Sequence, residues 1–124
     1  MSMTVNEKAL EPDDLTRLFV ERANAGDAAG VADLYEPEAV MAYPPGEVTV
    51  GRDAIRALWL QVLAKAPAFE PEEPLPTLVS GDTALTSTIA RDGAGVRAQV
   101  ARRQTDGTWL RLLDQPEIGP PVQR

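Results

Sequence analysis

Apolar residues recur at helical spacing in three segments of the first half of the chain. The clearest stripe belongs to the third segment and comprises Ile55, Leu58, Trp59, Val62 and Leu63. These residues fall at i, i+3, i+4, i+7 and i+8, which predicts an amphipathic helix with one buried face. The spacing also predicts a first helix over Pro12–Ala25 and a short second helix over Asp27–Tyr35, which Pro37 would end.

From Leu78 onward the pattern changes to period two, which is typical of strands. Strands are predicted at Thr83–Arg91, Val96–Gln104 and Thr108–Gln115, joined by glycine-containing turns into an antiparallel meander. A further short strand, Ala39–Tyr43, precedes a Pro-Pro-Gly turn. Helices first and strands later indicate an α+β fold, with the helices on one face of a curved, mainly antiparallel sheet of at least four strands.

Composition narrows the classes of function. The 124 residues predict a single domain, with an ordered core over about 12–116 and flexible tails. The chain has no cysteine and no histidine, which excludes disulfides, Ser-His-Asp and Cys-His catalysis, and every zinc site that contains histidine. With no glycine-rich phosphate loop after a strand either, we expect no metal, haem, flavin or nucleotide cofactor.

The net charge and the hydropathy of the chain indicate which partners and which cellular location to expect. The net charge of −7 argues against nucleic-acid binding, since a phosphate backbone would be repelled. No apolar run approaches the roughly 20 residues of a membrane span, and the first ten residues lack the apolar centre of a signal peptide. We therefore expect a cytoplasmic protein that binds neither membrane nor nucleic acid.

The order of motifs in the segment 24–59 resembles the nuclear transport factor 2-like superfamily, in its ketosteroid isomerase and SnoaL-like branch. The shared motifs are Ala25-Gly26-Asp27 between two helices, Leu34-Tyr35 followed by Pro37, and Gly51 with Ile55 opening a third helix. The resemblance implies a cone-shaped, cystatin-like α+β domain whose N-terminal helices and curved sheet enclose a pocket. It also implies a two-fold homodimer across the sheet.

Ketosteroid isomerases in this branch use a tyrosine on the first helix, an aspartate after the first strand and a protonated aspartate on a later strand. These positions fall on Phe19, on Tyr43, and on Val100 or, with a register one residue different, Gln99. None of these positions carries the side chain that the isomerases use, and Tyr43 is a poor base at neutral pH, so the sequence argues against steroid isomerase activity.

Asp114 is the remaining candidate for proton transfer. Alternation along the last strand places it with Leu110 and Leu112 on one face, expected to be the concave one, and it loosely resembles a late-strand aspartate of SnoaL-like cyclases. A carboxylate shielded from water there could move a proton or hold a polar group of a ligand. Alternatively, Asp114 could serve the structure alone, by accepting backbone hydrogen bonds or pairing with an arginine.

The candidate ligand-binding residues share an expected position on the pocket wall and are Phe19, Tyr43, Trp59, Gln99, Leu112 and Asp114. Asp114 and Tyr43 are the candidate catalytic pair. Trp109 is expected on the outer sheet face or at a dimer contact, and the same parity puts Ala84 and Leu113 on that face.

Three functions remain open from the sequence. The first is binding of an apolar or mildly polar small molecule, with any reaction unspecified. The second is proton transfer, as in an isomerase or cyclase, by Asp114 with help from Tyr43. The third is a non-catalytic dimerising module whose cone is filled by its own side chains. Whether Asp114 faces a cavity separates the first two from the third.

Overall fold

Three helices pack against one face of a seven-stranded sheet in the computed structural model, which describes residues 7–66, 68–90 and 95–118. The helices are α1 (Pro12–Asn24), α2 (Ala28–Ala32) and α3 (Arg52–Leu63). The strands are β1 (Tyr35–Met41), β2 (Thr49–Val50), β3 (Glu73–Pro74), β4 (Leu78–Ser80), β5 (Thr83–Ile89), β6 (Val96–Arg103) and β7 (Trp109–Ile118). The predicted α+β cone with a mainly antiparallel sheet is confirmed.

Local sequence signals fix the ends of the helices. Asp14 accepts a hydrogen bond from the backbone nitrogen of Glu11 at 3.2 Å, which satisfies one amide at the start of α1. Gly26 follows the helix with a φ of 70°, a conformation that glycine adopts without steric cost. Asp27 then caps α2, since its Oδ1 accepts from the backbone nitrogen of Gly30 at 2.8 Å.

The third helix buries the predicted face against the sheet. Ile55 is fully buried, while Leu58, Trp59 and Leu63 are partly buried and pack against the core. Its last helical residue is Leu63, and Pro67, which the sequence predicts as its end, lies outside the described residues.

The sheet has the strand order β2-β1-β7-β6-β5-β3, with β4 also paired to β5. All pairs are antiparallel except β1 with β7, which is parallel. The prediction that Tyr35 ends a helix and that Pro37 stops it is wrong, because both residues lie in β1. The register with β7 shifts between Tyr35 and Val40, and this irregularity accommodates exposed Pro37, which has no N–H to donate.

Opposite residues on neighbouring strands form two rows, one on each face of the sheet. The inner row faces the helices and consists of Thr86, Gln99, Asp114, Met41 and Thr49. The outer row is entirely aliphatic and consists of Leu78, Leu85, Val100, Leu113, Val40 and Val50. The sheet therefore places polar side chains under the helices and a continuous apolar row on its other face.

A β-bulge in β7 decides which of its side chains face inward. Val100 pairs with Leu113, but the next residue of β6, Ala101, pairs with Arg111, so Leu112 is an extra residue in β7. Arg111 and Asp114 consequently share the inner face although they are three positions apart. The predicted grouping of Leu110 and Leu112 with Asp114 is wrong, because strict alternation does not hold across the bulge.

The same change of parity corrects the expected outer face. Ala84 and Trp109 were predicted there, but both belong to the core, with 2% and 5% exposure. Leu113 does lie on the outer row and is 47% exposed. The backbone nitrogen of Trp109 donates to the carbonyl of Ala9, which is itself buried.

The boundaries expected for the ordered core need two corrections. Buried Ala9 extends the packed part of the chain before position 12, and β7 continues past 116 to Ile118. Residues 1–6 and 119–124 of the expected flexible tails, and residues 92–94 of the turn predicted at 92–95, lie outside the described residues. In the part of the chain that the structure describes, no helix has the length and apolar character needed to cross a bilayer.

Candidate functional site

A cavity of about 130 Å³, here called the cone cavity, lies between α1, α3, the connector that follows α3, and the inner face of the sheet. Three rings and Val20 provide its apolar wall. Gln99, Arg111 and Asp114 from β6 and β7 provide a polar floor. The cavity is thus apolar on the helix side and polar on the sheet side.

The apolar wall is a cluster of three edge-to-face rings. The ring centroids of Phe19 and Trp59 are 5.2 Å apart, those of Phe19 and Phe69 are 5.5 Å apart, and those of Trp59 and Phe69 are 6.4 Å apart. Such pairs are favoured by the ring quadrupoles. Asn24 holds the connector in place, since its amide donates to the carbonyl of Phe69 at 2.8 Å and accepts from its backbone nitrogen at 2.6 Å.

Asp114 is held by two donors on the polar floor. The amide nitrogen of Gln99 lies 3.2 Å from Asp114 Oδ1, and the hydroxyl of Tyr35 donates to Oδ2. The amide oxygen of Gln99 accepts from the Thr86 hydroxyl at 3.0 Å. Burial, with the added charge of Asp114, raises the pKa of Tyr35 well above its ordinary value, so the phenol keeps its proton and donates.

Arg111 lies beside Asp114 and is 3% exposed. Its Nη1 is 4.0 Å from Asp114 Oδ2, which makes an ion pair without a hydrogen bond. Its guanidinium carbon lies 5.6 Å from the ring centroid of Phe19 and 5.8 Å from that of Tyr35, within the range of cation–π attraction. Sequence reasoning missed Arg111, since alternation from Asp114 places it on the wrong face.

Two buried donors in the cavity wall lack partners. Among the residues that the structure describes, Trp59 Nε1 and Arg111 Nε are the buried side-chain nitrogen or oxygen atoms with no hydrogen-bond partner. Both atoms are N–H donors and neither can accept a hydrogen bond.

An ion pair lies at the edge of the cavity. Arg97 Nε is 2.9 Å from Glu72 Oε1, which also accepts from the Thr88 hydroxyl at 3.0 Å. Arg97 Nη1 donates to the carbonyl of Pro116 at 2.8 Å. These contacts attach the proline-rich connector to β5, β6 and β7.

Four of the six predicted ligand-binding residues line the cone cavity, namely Phe19, Trp59, Gln99 and Asp114. Tyr43 and Leu112 are not on its wall. Tyr43 is half-buried against the core, and its carbonyl accepts from the Thr49 hydroxyl at 2.7 Å. The phenol that contacts Asp114 is that of Tyr35.

The structure also decides between the two possible registers on β6. Gln99 is on the inner row and Val100 on the outer row. The roles of these residues in binding or catalysis remain predictions. Within the described ranges no three carboxylates come together as metal ligands, and the expectation that the protein uses no metal or cofactor likewise stays a prediction.

Solved structures with the same fold cover most of this chain. A ketosteroid isomerase-like protein from Erwinia carotovora atroseptica has a TM-score of 0.69 and 19% identity, covering 94% of this chain and 100% of its own. A domain of unknown function with a cystatin-like fold from Nostoc punctiforme has a TM-score of 0.73 and 17% identity, covering 88% and 75%.

An NTF2-like protein with a cystatin-like fold from Novosphingobium aromaticivorans has a TM-score of 0.61 and 20% identity, covering 82% of this chain and 75% of its own. At such identities the likeness shows the fold alone. No curated protein matches the chain. The sequence model of the SnoaL-like domain family, however, matches residues 16–111. The chain therefore belongs to the SnoaL-like domain family.

Proposed function

We propose that this domain binds a small, mainly apolar molecule in the cone cavity. The observation that carries the proposal is an aromatic wall that faces a polar floor across about 130 Å³ of space. An apolar cavity of about 150 Å³ holds a benzene molecule, so the space suits a single ring. Apolar walls with a few convergent polar groups are typical of small-molecule sites.

Trp59 provides the measurement that tests binding. The chain has two tryptophans, so Trp109→Phe leaves Trp59 as the only indole, and its fluorescence reports on the cavity. Titration with single-ring aromatic compounds should change this fluorescence saturably. Val20→Phe, which adds a ring to the cavity wall, should abolish the change, whereas Val79→Phe at an exposed position on β4 should not. A titration without saturation, or one equally strong in Val20→Phe, would contradict the proposal.

Proton transfer by Asp114 is the second candidate. It is supported by the position of Asp114 on the cavity floor, where Arg111 could stabilise negative charge on a ligand oxygen. Asp114 would accept a proton from a carbon next to a carbonyl group. The C–H electrons would form the carbon–carbon double bond of an enolate, and the π electrons of the carbonyl group would move to its oxygen. Exchange of the methyl hydrogens of acetophenone for deuterium in heavy water tests this. Exchange that requires Asp114 would support catalysis. Exchange at the solvent rate would leave ligand binding as the function that is still supported.

We also propose that two copies associate through the outer row. Leu78, Leu85 and Leu113 on this row are 62%, 40% and 47% exposed, and the row crosses six strands. A continuous apolar row of this kind can meet the same row of a second copy around a two-fold axis. The cavity inside the cone gives no support to a dimerising module whose cone is filled by its own side chains.

A further inference from the structure

The two unpartnered donors of the cone cavity indicate which functional group a ligand needs in order to bind there. Arg111 Nε and Trp59 Nε1 are both buried, and both residues line the cavity and contact the ring of Phe19. Leaving a buried donor without an acceptor costs free energy, and the cost is larger for a charged group. The chemistry that suits these two donors is therefore a hydrogen-bond acceptor.

The protein offers few acceptors to Arg111. Asp114 is its nearest carboxylate, but at 4.0 Å the contact is too long for a hydrogen bond. Both oxygens of Asp114 already accept hydrogen bonds, from Gln99 and from Tyr35. Arg111, which is 3% exposed, lies instead against the rings of Phe19 and Tyr35 and also interacts with the Tyr35 hydroxyl.

We infer that the ligand carries an sp² oxygen on a ring-sized apolar body, and that Arg111 and Trp59 are the residues that recognise this oxygen. The inference rests on the proposed binding function and specifies its ligand class. Carbonyl and carboxylate groups share the required acceptor, and the planar guanidinium suits either. The apolar body fits against Phe19, Trp59 and Phe69, while the oxygen replaces the partner that the two donors lack.

Three probes with the same branched skeleton test the inference. Cumene has no acceptor, acetophenone has a neutral carbonyl and benzoate has a carboxylate. Each is titrated by calorimetry, which needs no indole, into the wild-type protein and into Trp59→Phe and Arg111→Met. The change in affinity between proteins is then compared across probes. The cost of transferring a probe from water is common to all proteins and cancels in this comparison.

We expect each variant to weaken acetophenone and benzoate by about tenfold while the affinity for cumene changes by less than about threefold, since a hydrogen bond is lost only with the oxygen-bearing probes. Arg111→Met should weaken benzoate more than acetophenone, because it removes the positive charge. Trp109→Phe is the matched control, since it removes an indole N–H outside the cavity, and it should leave all three affinities unchanged.

The outcomes separate this inference from the function on which it rests. If the variants weaken all three probes equally, the oxygen is not recognised by these residues and the inference is overturned, although binding stands. If wild-type protein binds none of the probes, the proposed function fails and the inference fails with it. Trp59→Phe keeps a ring at position 59, so it provides the comparison even if Arg111→Met does not fold.

Discussion

Gln99 and Asp114 lie directly opposite each other on β6 and β7, and the Gln99 amide nitrogen is 3.2 Å from Asp114 Oδ1. The other end of the same amide accepts from Thr86 on β5. Because both ends of the Gln99 amide are used, its orientation is fixed, and it can only donate to Asp114. Three neighbouring strands thereby hold one carboxylate in place at the floor of the cavity.

Asp114→Asn should lower stability and change ligand preference. The substitution removes the nearest negative charge from buried Arg111, so we expect the free energy of unfolding to fall by about 3 kcal/mol, as measured by urea denaturation. The uncompensated guanidinium should also favour benzoate over acetophenone more than the wild-type protein does. Unchanged stability together with unchanged preference would show that Asp114 and Arg111 do not interact.

Tyr35→Phe should destabilise the protein by about 1–3 kcal/mol, because Asp114 loses a buried hydrogen-bond donor. The ring remains, so its cation–π contact with Arg111 is retained. Tyr43→Phe is the matched control and should cost less than about 1 kcal/mol, since Tyr43 is only half-buried and lies off the cavity wall. Equal losses in the two variants, by urea denaturation, would mean that the hydroxyl of Tyr35 has no special part.

Glu36 should contribute stability that depends on pH. The hydrogen bond from Arg102, whose Nε is 2.9 Å from Glu36 Oε2, holds the pKa of this carboxyl below its ordinary value. A lowered pKa in the folded state stabilises the protein above the unfolded-state pKa of about 4.3, and this contribution disappears as pH falls through the folded-state value.

Glu36→Gln should therefore lose about 1–2 kcal/mol at neutral pH, and the difference from wild type should shrink as pH is lowered below about 4. Thermal denaturation from pH 3 to 7 on both proteins measures this. Asp82→Asn removes the carboxylate of an exposed pair with Arg103 and should cost less than about 1 kcal/mol throughout. A Glu36→Gln difference that is constant with pH would contradict the assignment.

Leu113→Arg should prevent association if two copies meet through the outer row. The substitution places a charge in the middle of that row, where burial against a second apolar row would be unfavourable. Light scattering at micromolar concentration should give a dimer mass for wild type and a monomer mass for Leu113→Arg. Leu60→Arg, at an exposed leucine on α3, should remain dimeric. A monomeric wild-type protein would refute the proposed dimer.

Periodicity is sufficient to predict the helices and the meander, because each of these elements buries one continuous face. It fails at Tyr35, where Leu34-Tyr35 fits a helical stripe as well as the start of a strand. Pairing with β7, which lies far away in the sequence, decides the question in favour of the strand.

Periodicity predicts only part of the candidate site. Phe19 and Trp59 follow from helical stripes and are found on the cavity wall. Phe69 comes from a proline-rich connector without periodicity, and its place depends on hydrogen bonds with Asn24, which no local pattern reveals. The resemblance selects Tyr43 because it precedes Pro44-Pro45-Gly46, whereas Tyr35 is predicted in a helix, so the phenol that donates to Asp114 is missed.

The extra residue Leu112 changes which alternate residues of β7 face the helices. The residues of β7 before Leu112 face the opposite side of the sheet from the side that strict alternation, counted from the residues after it, would give them. Deletion of this one residue would restore strict alternation and leave Arg111 on the inner face, two positions before Asp114 instead of three. When this chain is compared with relatives that lack the bulge, an ungapped alignment would match inward-facing residues to outward-facing ones over residues 109–111.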